Sequence, residues 1–133
     1  MIAILVISHE PLGTALINCL KHVYKDIPRQ VAALDVIPDE APEQAMVAAR
    51  DLIARISDGS GVLVLTDLCG ATPSRIARDL FEPHKIAVLC GVNLPVIIKA
   101  ISLRRQPMPV TDLMDQLLMA GRESISELIP ETP

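Results

Sequence analysis

Residues 2–9 read Ile2-Ala3-Ile4-Leu5-Val6-Ile7-Ser8-His9, an unbroken apolar run that ends in two polar side chains. A β-rich run without polar alternation marks a strand buried on both faces, as in parallel sheets held between layers of helices. Three later runs match it: Val31 to Ile37, stopped by Pro38; Val62 to Leu65, ending at Thr66 and Asp67; and Ile86 to Leu89. Amphipathic stretches separate them. Pro11 stands where a first helical turn tolerates it, and Leu12 to Val23 reads as helix. Pro42 to Ile56 is a second helix, with Met46, Leu52, Ile53 and Ile56 recurring on one side, and Asp58 to Gly61 is a turn. Thr72-Pro73 predicts a helix start, a Thr cap followed by Pro at the first position, with the helix reaching about Phe81 before Pro83. Beyond the Gly91–Leu94 loop, Pro95 opens a helix to about Arg104, and Asp112 to Leu128 forms the last one. The order β-α-β-α-β-α-β-α-α predicts an α/β fold, a doubly wound, mainly parallel sheet with helices on both faces.

A chain of 133 residues suits one domain, expected to span 1–133. Half of the residues are hydrophobic but only 2% are aromatic, so the core must be aliphatic. The net charge of −4, with no basic run, argues against nucleic acid, whose phosphates call for clustered Lys and Arg. The lack of aromatics removes the stacking platforms of single-strand binders. No apolar run nears the ~18–20 residues of a membrane span, and no basic segment precedes the first strand, so neither membrane insertion nor a signal peptide is expected. Three cysteines, an odd number without close spacing, speak against a disulfide framework and against zinc. They read as small core residues in a cytoplasmic protein. No metal or other cofactor is expected.

Ligands of such sheets bind beyond the carboxyl ends of the strands, where strand order reverses. Ser8, His9 and Glu10 follow the first strand, Pro38 to Glu40 the second, and Thr66 to Ser74 the third; Cys90 to Asn93 follow the fourth. His9 is a nucleophile or base at a strand tip, or else a polar cap of the next helix. If the first and third strands are neighbours, Asp67 can hold one imidazole nitrogen and leave the other free; otherwise it is a turn residue. Asp67-Leu68-Cys69-Gly70-Ala71-Thr72-Pro73 brings small residues to a helix N-terminus, where free amides and the helix dipole favour an anion, or simply form a cap. Cys69 is the one cysteine with an exposed, helix-adjacent position, a lesser candidate nucleophile. His22 and His84 read as surface residues. No Walker loop and no G-x-G-x-x-G is present.

At these residues the chain resembles the IIA components of the mannose family of the bacterial phosphoenolpyruvate:sugar phosphotransferase system. The likeness spans essentially the whole chain. It rests on Ser8-His9 closing the first strand, Asp67 with Gly70-Ala71-Thr72-Pro73, and Gly91-Val92-Asn93-Leu94-Pro95 after the fourth strand. The resemblance implies strand order 2-1-3-4, with His9 and Asp67 meeting at the switch point. It implies a phosphohistidine relay in sugar transport: His9 takes a phosphoryl group from the phosphocarrier protein HPr and passes it to a IIB histidine or another acceptor. Asp67 would orient the imidazole, and many members are homodimers. Ala71, Thr72 and Ser74 would then cradle the phosphoryl group. Arg75 and Arg78 would contact an acidic partner or the phosphate, with a solvated helix charge the stronger reading for Arg78.

Two departures stand out. Glu10 follows the histidine where the family often has Gly, and would repel phosphate unless it points away. Gly70-Ala71 replaces a double Gly. Since the sequence ends at Pro133 without a IIB segment, a free-standing component is expected. The alternatives are a phosphoryl-donor subunit serving dihydroxyacetone kinase and a non-catalytic regulatory binding module of the same fold. A hydrolase with His9 as base ranks last, for want of a Ser or Cys nucleophile.

Overall fold

The apolar run at the start of the chain becomes the inner strand β1 (Ala3–His9), flanked by β2 (Val31–Val36) and β3 (Val62–Thr66), with β4 (Ile86–Cys90) beyond β3. The structure, a computed structural model, describes residues 1–131; the last two residues of the expected 1–133 domain lie outside it. All pairings are parallel and the order is β2-β1-β3-β4, as the resemblance implied. The helices are α1 (Leu12–Cys19), which tightens into a 3-10 turn at Leu20–His22, α2 (Pro42–Ile56), α3 (Thr72–Leu80), α4 (Leu94–Leu103) and α5 (Val110–Glu123).

Strand periodicity splits β1 between two aliphatic layers. Ile4 and Val6 join Ile17, Leu20, Ile97, Leu113 and Leu117 beneath α1, α4 and α5. Ala3, Leu5 and Ile7 join Ala45, Ala49, Ile76, Ala77 and Leu80 beneath α2 and α3. Ile4, Leu5, Val6 and Ile7 are fully buried, which is why the run never alternates.

Several expected boundaries move. The last helix begins at Val110 and stops at Glu123, well short of Leu128. Ser124 closes it: its hydroxyl donates to the Gly121 carbonyl at 2.6 Å and accepts from Asn93 Nδ2 at 3.3 Å. Beyond it Ile125, Leu128 and Ile129 are exposed, with no core to hold a helical face. In α3, Thr72 is the first helical residue rather than the cap; Ala71 is the last extended one (φ −90°, ψ 174°), and no side chain caps the helix. For α4 the cap is a side chain, Asn93 Oδ1 accepting from the Val96 amide at 2.8 Å. Nor are the cysteines core residues: Cys69 is exposed, while Cys19 and Cys90 are half-buried.

The first helix is set against the sheet by a contact without sequence precedent in the motifs. Asp35, opposite Ser8 on β2, accepts from the Thr14 amide at 3.0 Å, so it acts as an N-terminal cap supplied from another element. Gly13 makes room for it: a Cβ there would lie 2.8 Å from Asp35 Oδ1 and 2.9 Å from Ser8 Oγ. Losing such a cap costs about 1 kcal/mol. Asp35→Ala is accordingly expected to lower the unfolding free energy by that amount, read as a lower urea midpoint at unchanged slope, and an unchanged midpoint would remove the capping role.

Candidate functional site

Because β1 lies between β2 and β3, the chain after β1 crosses one way and the chain after β3 the other, opening a crevice at the carboxyl end of the sheet. Ile7 pairs with Thr66 and His9 with Val36, so β1 extends two residues past the end of β3. Ser8 is fully buried and anchors the strand, whereas the His9 side chain is 52% exposed. The next residue of the β3 chain, Asp67, turns back toward that tip.

One carboxylate oxygen, Asp67 Oδ2, accepts from the His9 amide at 3.0 Å and meets His9 Nδ1 at 2.8 Å. Its other oxygen accepts from the Leu68 amide at 2.8 Å. A carboxylate can only accept, so Nδ1 carries the proton and Nε2 keeps a free lone pair. Partial burial pushes the Asp67 carboxyl up. The hydrogen bonds from the His9 ring, the His9 amide and the Leu68 amide outweigh burial and hold it below its ordinary value. Asp67 is thus a fixed anion, its side chain only 14% exposed.

His9 lines a groove of about 470 Å³ with Glu10, Ile37, Asp39, Glu40 and Thr72. Thr72 opens α3, and the amides of Thr72 and Ser74 have no backbone acceptor among the described residues. Thr72 therefore brings a free amide to the groove, with the positive end of the α3 dipole behind it. Glu10 is exposed and lines this groove with His9, and its amide donates to the Val36 carbonyl at 3.1 Å.

The other expected residues lie elsewhere. The Ser74 hydroxyl is buried and donates to the Ala71 carbonyl at 2.8 Å, shaping the cap. Ser74, Arg75 and Arg78 line a separate cavity with Cys69 and Cys90 rather than the His9 groove. Arg78 makes an exposed ion pair with Asp79 at 3.6 Å. His22 is exposed near the end of α1, and His84 is exposed before β4, at the opposite end of the sheet. The crevice end also exposes three apolar residues that no motif in the chain marks, Leu12, Ile37 and Leu68, each of which follows a different strand. Among the described residues, no group of three or more His, Cys, Asp and Glu could hold a metal ion. No helix among them is long and apolar enough to cross a membrane.

The model of the EIIA-man family, described as PTS system fructose IIA component, matches residues 3–118. The PTS system mannose-specific EIIAB component of Escherichia coli (strain K12) is 27% identical over 99 residues, 74% of this chain and 31% of that protein. This chain therefore spans under a third of that relative's length. The PTS system fructose-specific EIIA component of Bacillus subtilis (strain 168) is 23% identical over 125 residues, covering 93% of this chain and 84% of that one. Among solved structures, a phosphotransferase system component EIIA from Streptococcus agalactiae superposes with a TM-score of 0.85 at 27% identity, over 96% of this chain and 97% of its own. The mannose/sorbose-specific IIA subunit from Enterococcus faecalis shares the fold, with a TM-score of 0.83 at 19% identity over 99% and 98% of the two chains.

Proposed function

The chain belongs to the EIIA-man family, as a mannose-family IIA component of the phosphotransferase system, and from that premise we propose that His9 is its phosphoryl acceptor and donor. The observation that carries the proposal is the 2.8 Å contact between His9 Nδ1 and Asp67 Oδ2, which leaves Nε2 unengaged in an open groove. Nε2 attacks the phosphorus of phosphorylated HPr in line. The N–P bond of the donor imidazole breaks as the new one forms at His9, and the reverse step delivers the group to a IIB histidine or another acceptor. Asp67 keeps the Nδ1 proton in place and balances the positive charge that grows on the ring. Thr72, through its hydroxyl and its free amide, and the Ala71 turn before it receive the phosphoryl oxygens, while Ser74 holds that turn from behind. Position and charge are all that such a transfer demands of the protein.

A protein partner, rather than a free sugar, suits the surroundings. Leu12, Ile37 and Leu68 expose apolar surface at the crevice end, as protein interfaces do. With one Tyr, one Phe and no Trp, the chain has few flat faces for a sugar ring. Glu10, Asp39 and Glu40 make the rim acidic, so the docking partner has to bring positive charge. Three free cysteines support a reducing, cytoplasmic setting. The two continuous core layers support 1–133 as one IIA domain.

The test is transfer of labelled phosphate from phosphoenolpyruvate through enzyme I and HPr, followed by addition of a IIB protein. A second part of the proposal is that the protein is a homodimer, for which the exposed Ile125, Leu128 and Ile129 supply apolar surface to cover. Sedimentation equilibrium is expected to give twice the chain mass of 14.4 kDa. A single species at the chain mass would overturn the dimer.

A further inference from the structure

Turn 67–70 folds back over the end of the sheet and brings the Cys69 sulfur to 2.8 Å from that of Cys90, the last residue of β4. Both are free thiols. Nothing in the phosphoryl transfer uses them, and they face away from the His9 groove into a second open cavity of about 570 Å³. The two sulfurs differ in access. Cys69 is exposed; Cys90 is half-buried beneath it and accepts a weak hydrogen bond from Thr66 Oγ1 at 3.8 Å. Burial, together with the adjacent Cys69 sulfur, raises the Cys90 thiol above its ordinary value. The cavity also carries two guanidinium groups, Arg75 and Arg78, and Arg75 is in no ion pair among the described residues.

We infer that Cys69 and Cys90 form an oxidisable dithiol site for an anionic low-molecular-weight disulfide, with Cys69 as the attacking thiol and Cys90 as the resolving one. Cys69 loses its proton to solvent and attacks one sulfur of the reagent, forming a mixed disulfide and expelling one thiolate. Cys90 then gives up its proton and attacks Cys69 Sγ, expelling the second thiolate. The protein loses two electrons and two protons, and the reagent leaves as two thiols. Accessible attacker, shielded resolver and neighbouring cations are the arrangement this exchange requires. The product ties the turn that carries Asp67 to the end of β4. There the Gly91 amide already donates to the Asp67 carbonyl at 3.0 Å and the Val92 amide to the Thr66 carbonyl at 2.9 Å.

The inference does not depend on phosphoryl transfer, because its readout is thiol chemistry. The reduced protein is incubated with oxidised glutathione, freed of reagent, and titrated for thiols under denaturing conditions. The count is expected to fall from three to one, leaving Cys19, with a 69–90 linked peptide that dithiothreitol releases. C90S is expected to hold a stable glutathione adduct on Cys69, and C69S to keep both remaining thiols. R75E is expected to slow oxidation by anionic glutathione disulfide roughly tenfold at low salt, and not oxidation by cationic cystamine. Three surviving thiols in the wild-type chain, a lasting adduct without the internal bond, or pairing through Cys19 would each overturn the site. Equal slowing by R75E with both reagents would remove the preference for an anion. Peptide mapping of the wild-type protein decides the bond even where a variant fails to fold.

Discussion

His9→Ala is expected to reduce phosphate incorporation from phosphoenolpyruvate, enzyme I and HPr to background, while the wild-type chain takes up label that acid removes and alkali does not. The reason is positional. His22 and His84 are exposed and accessible to reagents, but His84 sits at the opposite end of the sheet, and neither has the Asp67 contact that fixes a tautomer. The side chain of His9 is half exposed and leaves no cavity, so the fold should survive the change, which circular dichroism checks. Label that persists in His9→Ala would sink the assignment. A wild-type chain that takes up no label under conditions where another IIA component does would favour the regulatory binding module.

Asp67→Ala is expected to slow labelling by on the order of a hundredfold or more without moving the label from His9, since the nucleophile remains and its tautomer and orientation are lost. Two hydrogen bonds run between these residues, to the ring at 2.8 Å and to the His9 amide at 3.0 Å, so the truncation frees the strand tip as well as the imidazole. Wild-type kinetics in this variant would exclude the orienting role. Stability supplies a readout besides rate. The Asp67 carboxyl is held below its ordinary value of 3.8, so the folded state binds protons less readily than the unfolded one. Its stabilising contribution is complete above that value and fades as the pH falls through the depressed folded-state value. Asp67→Asn should therefore narrow the stability gap between neutral and acid pH, and an unchanged acid-unfolding profile would contradict the ionised, hydrogen-bonded carboxylate.

Much of this was legible in the chain. The apolar run before His9 demanded a strand buried on both faces, and β1 has helices on both sides. Small residues ahead of Pro73 marked a helix N-terminus, though the cap falls on Ala71 because the last extended residue, not the nearest hydroxyl, defines that position. The end of α5 was not legible: Ile125, Leu128 and Ile129 keep a helical-looking spacing, yet no core lies opposite them, and the Ser124 hydroxyl takes the Gly121 carbonyl instead. Ser74 belongs to the same short stretch as Thr72 but opens onto a different cavity, since side chains two positions apart on a helix do not share a face.

By itself, then, the sequence determined the α/β class, the aliphatic character of both layers and the candidate pair of His9 and Asp67, because strand and helix periodicities are local properties of the chain. Tertiary structure decided which atoms meet. Fifty-eight residues separate His9 from Asp67 and twenty-one separate Cys69 from Cys90, and parallel pairing of β1 and β4 with β3 is what closes both distances to 2.8 Å. The same is true of Asp35, an ordinary strand carboxylate in the sequence that caps α1 only because β2 lies beside β1. Spacing along a chain cannot encode such contacts, because parallel pairing joins segments that a crossover helix holds far apart in sequence.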